Sequence, residues 1–130
     1  MAKFFSELDG ALRSFIREQK IFFTASAPVD GRINLSPKGM DTFRCLDAKR
    51  VAYLDLTGSG NETAAHLLEN GRLTIMFCSF SEKPLILRLY GRGRVVRPPD
   101  AQWEELRAEF GPALGEGQII LLIIKTGEHS

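Results

Sequence analysis

Leu85-Ile86-Leu87-Arg88-Leu89-Tyr90-Gly91-Arg92-Gly93-Arg94-Val95-Val96 reads as one long β-strand with two different faces. Leu85, Leu87, Leu89 and Val95 share one face with Gly91 and Gly93, while Ile86, Arg88, Tyr90, Arg92, Arg94 and Val96 take the other. A glycine pair inside a strand marks a place where backbones approach or a sheet bends, as strands must when a sheet curls into a barrel. Downstream, Pro98-Pro99-Asp100 ends the strand and caps a second long helix, in which Trp103, Leu106 and Phe110 recur at helical spacing until Gly111-Pro112 stops it. The last strand, Gln118–Lys125, is apolar on both faces, which requires cover on both sides.

Upstream, Arg72–Ser79 is a further strand, preceded by a short helix over 59–70 for which Gly71 is the expected C-cap. Arg50–Leu56 and Thr42–Leu46 are strand-like. Ile21–Ala27 and Arg32–Ser36 form a hairpin about the Asp30-Gly31 turn. The chain opens with an amphipathic helix, because Phe4, Phe5, Leu8, Leu12, Phe15 and Ile16 recur at steps of three and four. Strands mostly follow strands through short turns, so the sheet is expected to be largely antiparallel and closed or nearly closed. No internal repeat divides the chain, and residues 1–130 read as a single domain.

The composition is that of an ordinary globular domain: 130 residues, 44% apolar and 25% charged. Lys and Arg total 17 against 16 Asp and Glu, so the charge is balanced and a strongly basic nucleic-acid surface is not expected. Charged residues interrupt the first segment, which excludes a secretory signal. The apolar run Ile119–Ile124 falls far short of the ~20 residues a membrane helix needs. Cys45 and Cys78 form no C-x-x-C pair and read as buried free thiols of a reducing compartment. These features predict a cytoplasmic protein that binds neither membrane nor nucleic acid.

The most informative stretch for chemistry is Thr57-Gly58-Ser59-Gly60-Asn61-Glu62-Thr63, between a strand and a helix. Ser59 and Glu62 have capping-box spacing, and the glycines leave backbone N–H groups uncovered at a positive helix end, where a phosphate would be received. The plain alternative is a well-capped helix. A dinucleotide fingerprint is excluded, because Thr63 stands where its third glycine belongs. Ser36-Pro37-Lys38-Gly39 offers a hydroxyl, a cation and an amide for a second anion grip, or is simply a Ser-Pro turn with a solvated lysine. The arginine row Arg88, Arg92, Arg94 either reads an acidic group or is a solvated face. His66, alone in mid-helix, reads as a surface or packing residue, and no metal-ligand spacing or catalytic triad is evident. An enzyme this poor in acid–base groups needs an organic cofactor.

Taken in order, Ile33–Gly39, Ala52–Leu67, Asn70–Phe77 and Ile86–Gly93 resemble the pyridoxamine 5′-phosphate oxidase-like family, a likeness running from about Phe4 to Val96 and more loosely to Lys125. The resemblance implies a mainly β fold with flanking helices, a largely antiparallel split β-barrel of six to seven strands. It also implies a homodimer holding FMN where the subunits meet. Carried over by position, Lys38 is the strand-end lysine that contacts FMN. Leu56 and Thr57 lie beside its ring, and Asn61, Glu62 and Thr63 form the phosphate turn. Ser36, Gly39, Gly58 and Arg88 complete the expected cofactor contacts.

Many family members carry an Arg-Lys pair where this chain has Glu62-Thr63, so other groups must compensate for two lost cations, each worth roughly 1.5–3 kcal/mol in a charge-assisted hydrogen bond. Vitamin oxidation is not expected, since oxidases proper continue into a segment that closes over the vitamin, and this sequence stops at Ser130. The expectation is an FMN-dependent oxidoreductase acting on an unidentified small molecule. The alternatives are a non-catalytic flavin- or haem-binding module, or a deazaflavin-dependent reductase. Ile119–Ile124 and Leu85–Val96 are the expected dimer contacts.

Overall fold

Period-two alternation of buried and open positions runs through most of the chain, and it is realised as one curled sheet in a computed structural model that describes residues 2–39, 41–55, 60–111 and 117–130. The strands are β1 (Lys3–Phe5), β2 (Ile21–Ser26), β3 (Asn34–Gly39), β4 (Phe43–Cys45), β5 (Arg50–Asp55), β6 (Arg72–Ser79), β7 (Leu85–Val96) and β8 (Gln118–His129). Three helices interrupt them: α1 (Gly10–Glu18), α2 (Gly60–Glu69) and α3 (Trp103–Ala108). The eight strands pair in the order β3-β2-β6-β7-β8-β5-β4, with β1 added to β8, and every pairing is antiparallel. The split half-barrel expected from the sequence is thus present, with one strand more than the six to seven expected.

The two ends of that strand order meet in space. Phe22 of β2 packs its ring against Phe43 of β4 and Tyr53 of β5, at centroid distances of 5.0 and 5.5 Å. Phe77 of β6 completes the group at 4.9 Å from Phe43, edge to face. Such a cluster closes the curl without backbone pairing between β3 and β5. Inside it lie Val51, Ile75, Leu87, Leu89, Ile120 and Leu122, all fully buried, with Leu12 and Ile16 of α1 and Leu67 of α2 covering the ends. Burying each such side chain contributes about 1.5–3 kcal/mol. A second cluster forms on the outside, where Leu106 and Phe110 cover Ala52, Leu54, Val96, Ile119 and Leu121.

Several boundaries differ from the sequence reading for identifiable reasons. The opening helix begins at Gly10, because the Asp9 carboxylate accepts the Leu12 N–H at 2.8 Å and caps it there. Phe4 and Phe5 instead belong to β1. β3 starts later than Arg32 and runs through Gly39, since its register on β2 extends from Asn34 opposite Ser26 to Gly39 opposite Ile21. α3 is short, and Asp100 accepts the Arg97 N–H at 2.9 Å without capping it. β8 continues past Lys125 to His129 through a register shift beside Gly91. A Cβ on Gly91 would strike the Ile123 carbonyl, which is the close approach the glycine pair foretold.

Most of the Ile119–Ile124 run of β8, expected as part of a dimer contact, is covered within this chain. Ile119, Ile120, Leu121, Leu122 and Ile124 are spent on the chain's own two clusters, and only Ile123 of that run is exposed, at 46%. Cys45 and Cys78 are free, and half-buried where full burial was expected. No helix among the described residues is long and apolar enough to cross a membrane.

Candidate functional site

The seam of the curl, where β3 faces β5, gathers polar side chains that the sequence separates widely. On β3, alternation sends Asn34, Ser36 and Lys38 inward, opposite the buried Ser26, Thr24 and Phe22 of β2. On β5 the same alternation turns Tyr53 and Asp55 inward. Lys38 Nζ lies 3.2 Å from Asp55 Oδ1, with the two side chains 12% and 2% exposed. The other carboxylate oxygen accepts from Gln118 Nε2 at 3.0 Å, and Gln118 Oε1 accepts from Arg97 Nε and Nη2 at 2.8 and 2.6 Å. A buried carboxylate is thereby met on both sides.

The start of α2 joins the same seam. Asn34 Nδ2 donates to Thr63 Oγ1 at 3.2 Å, and Ser36 Oγ donates to Asn34 Oδ1 at 3.2 Å. Thr63 is 2% exposed, whereas Asn61 and Glu62 face solvent in the first turn of α2. Glu62 is the third residue of that helix, as the capping-box spacing requires, although Ser59 itself lies outside the described residues. Further along α2, His66 is buried and shares a 2.9 Å hydrogen bond with Ser26 Oγ, so it is a packing residue and not a surface one. Gly71 ends the helix with φ +73°, the left-handed cap expected of it.

Burial raises the Tyr53 phenol far above its ordinary range, and the Asp55 carboxylate pushes the same way. The Thr24 hydroxyl opposes the shift weakly, since neither buried hydroxyl reaches hydrogen-bond geometry. The pair at the seam is therefore a neutral Tyr53 beside a charged and well-partnered Asp55–Lys38 bridge. Tyr53, Asp55 and Gln118 were not among the residues the sequence singled out for the site. Their partners lie across the seam, and no local pattern announces a contact of that kind.

The structure ties β3 to the start of α2 through Asn34 and Thr63, with Ser36 bonded to Asn34 and Lys38 further along the same face. Gly39 lies on the other face, toward the Lys20 carbonyl, and Asn61 and Glu62 are exposed in the first turn of α2. Leu56, Thr57 and Gly58 lie outside the described residues. Arg88 is not brought to the seam within this chain: it aligns with Met76, Phe23 and Pro37 on the outer face of the sheet. There its guanidinium lies 3.4 Å from Glu128 Oε1, which also accepts the Tyr90 hydroxyl at 2.6 Å. The arginine row of β7 is accordingly divided, with Arg88 paired and Arg92 and Arg94 elsewhere. Among the described residues no group of His, Cys, Asp and Glu is arranged to hold a metal ion.

A curled antiparallel half-barrel with a polar seam, at which β3 is bonded to β5 through Lys38–Asp55 and to the start of α2 through Asn34–Thr63, defines a split-barrel protein. The family model for pyridoxamine 5′-phosphate oxidase matches residues 8–128, and the chain belongs to that family. Pyridoxamine 5′-phosphate oxidase family protein ustO of Aspergillus flavus is 47% identical over 129 residues, covering 95% of this chain and 52% of the relative. The chain thus spans about half the length of the curated relative it matches.

Among solved structures, HupZ of Group A Streptococcus is similar with a TM-score of 0.73 at 21% identity, covering 90% of this chain and 89% of that one. The haem storage protein HutZ of Vibrio cholerae gives 0.68 at 18%, with 93% and 92% covered. An FMN-binding protein of Syntrophomonas wolfei gives 0.62 at 12%, with 88% and 80% covered. At these identities the structures share the fold.

The donors at the seam suit a phosphate through neutral groups more than through charge. The Asn61 amide, the Thr63 hydroxyl and the first N–H groups of α2 can donate, whereas the Ser36 hydroxyl already donates to Asn34 Oδ1. Lys38 brings a cation whose charge Asp55 balances, and Glu62 adds an anion in the first turn. These donors match the chemistry of a phosphate group, with less electrostatic help than an Arg-Lys turn supplies.

Proposed function

We propose that this chain is an FMN-binding module of the pyridoxamine 5′-phosphate oxidase family that acts as an oxidoreductase on a small molecule. The observation that carries the reading is the convergence at one seam of the Lys38–Asp55 bridge with the Asn34–Thr63 hydrogen bond, which ties the lysine-bearing strand to the start of α2. Asn61, Thr63 and the α2 N–H groups would take the phosphate, with Lys38 and Ser36 beside it. When bound, FMN supplies hydride exchange at its ring. The chain's own part is to position the ring, exclude water with the Phe22–Phe43–Tyr53 cluster, and keep Tyr53 protonated.

The reading includes a homodimer in the cytoplasm with the cofactor between subunits. Ile21 and Leu35, 55% and 66% exposed, project from the outer face of β2 and β3 beside half-buried Phe23 and Met76. Covering that face with a second copy would also bring Arg88 and Tyr90 of β7 to the interface, where the sequence reading expected Arg88 to act.

A haem-binding module is the second reading, favoured by the balance of Lys38 against Asp55 and by Glu62 in the phosphate turn. The purified protein titrated with FMN, a deazaflavin and haemin separates these. The account expects a flavin absorption spectrum, a rise in melting temperature with FMN, and reduction of the bound flavin by NADH or NADPH. A Soret band with haemin and no response to FMN would replace the first reading by the second.

A further inference from the structure

We propose that the outer face of β7 and β8 holds a second binding site, for a small amphipathic anion: an organic carboxylate or phosphate with an apolar body. The sequence reading left the arginine row of β7 undecided between a ligand site and a solvated face. The structure separates its members, since Arg88 has Glu128 and Tyr90 for partners while Arg92 and Arg94 do not share them. Arg92 and Arg94 line a cavity of about 430 Å³ between the C-terminal end of α2 and Gln102, just before α3. That size lies within the ~300–1,000 Å³ usual for small-molecule sites.

Its floor and rim differ in chemistry. Ile123 and Leu121 of β8 form an apolar floor, with Leu67 and Leu68 of α2 at one side. Ile123, at 46% exposure, is the one member of the Ile119–Ile124 run that the fold leaves uncovered. Around it stand cations: Arg92 and Arg50 lie directly across the sheet from Ile123, and Arg94 directly across from Leu121. Arg72 of β6 lies directly opposite Arg92 on the same face. Like charges directly across an antiparallel pair oppose folding. Among the described residues Arg72, Arg92 and Arg94 form no ion pair, while Arg50 is held by Asp47 at 2.7 Å.

The acidic groups nearby do not fill the cavity. Glu69 lines it, but its carboxylate accepts the Val29 N–H, and Glu105 lies near Arg50. Gln102 Oε1 is buried at the cavity wall with no hydrogen-bond partner, an acceptor awaiting a donor. An anionic head between Arg92 and Arg94, an apolar body on Ile123 and Leu121, and a hydroxyl or N–H toward Gln102 would satisfy all three features. The site is independent of the flavin reading, since it lies on the other face of the sheet from Lys38 and Asp55.

Titration of the full chain with octanoate and with phenyl phosphate, followed by calorimetry, tests this, with octanol as the uncharged control. Both anions are expected to bind at least about tenfold more tightly than octanol, with affinity falling as salt rises. An Arg92→Gln/Arg94→Gln variant is expected to lose about tenfold or more of that affinity while keeping its melting temperature. Ile123→Glu, at an exposed position, is expected to abolish anion binding by placing a carboxylate on the floor. Octanol binding as tightly as octanoate, or both folded variants binding the anions unchanged, would overturn the proposal, as would no binding of either anion. An FMN titration of the same variants gives a separate readout, so failure here leaves the seam reading to its own test.

Discussion

Two groups of basic side chains lie on opposite faces of the same sheet and are treated by the fold in opposite ways. At the seam, Lys38 is buried and engaged by Asp55, which Gln118 and Arg97 support in turn. On the outer face, Arg92 and Arg94 are exposed around an uncovered isoleucine, with no ion partner among the described residues. A buried cation must be matched to persist, so its partners become part of the architecture. An exposed one can remain unmatched, and its charge stays available to a ligand. The contrast separates charges that hold the barrel together from charges that face outward from it.

The largest effect is expected from breaking the seam pair. Asp55→Ala removes the carboxylate that faces the largely buried Lys38 and accepts from Gln118 Nε2, and should cost about 3–5 kcal/mol in urea denaturation. Lys38→Met combined with Asp55→Asn removes both charges and should recover most of that loss; a double variant as unstable as Asp55→Ala would show that the bridge is not what Asp55 serves. Next in size, Phe77→Ala opens the aromatic group that joins the two ends of the sheet, at about 3–5 kcal/mol. If Phe77→Ala were instead neutral, the curl would not depend on that cluster.

On the outer face the same measurement should barely respond. Arg92→Gln is expected to change stability by less than about 0.5 kcal/mol, or to raise it slightly by relieving Arg72. A loss comparable to that of Asp55→Ala would erase the distinction between the two regions. Tyr53→Phe is also expected to have a small effect at neutral pH, within about 0.5 kcal/mol, because the buried hydroxyl it removes makes no hydrogen bond.

Its signature is in alkali. The folded protein holds the phenol proton above the ordinary value of about 10, so the unfolded chain releases it first and binds fewer protons. Stability should therefore fall as pH rises above about 10, and fall less steeply in Tyr53→Phe. Parallel slopes in the two proteins would contradict the assignment.

The central strands β6 and β7 are legible in the sequence, and the seam is not. Arg72–Ser79 and Leu85–Val96 have the bounds that alternation predicts, because each is long enough to show a period and is paired along its length. β1 is only three residues long and carries no period, so its phenylalanines were absorbed into the apolar pattern of α1. β3 was shifted because Pro37 and Gly39 suggest a turn, yet pairing with β2 keeps them in a strand. Lys38 and Thr63 were legible as anion-binding types at strand and helix ends. Asp55 and Gln118 were not, since what gives them meaning is a partner across the curl. The apolar character of β8 on both faces has an intrachain cause, since two clusters flank the strand and cover most of Ile119–Ile124.

The central claim is that the seam holds a phosphorylated flavin by its phosphate, and the most direct measurement compares FMN with riboflavin, which lacks that group. The account predicts at least about tenfold tighter binding of FMN to the wild-type chain, and loss of that preference in Lys38→Met/Asp55→Asn combined with Thr63→Val. Equal affinity for the two flavins, or a preference that survives in the folded triple variant, would contradict it.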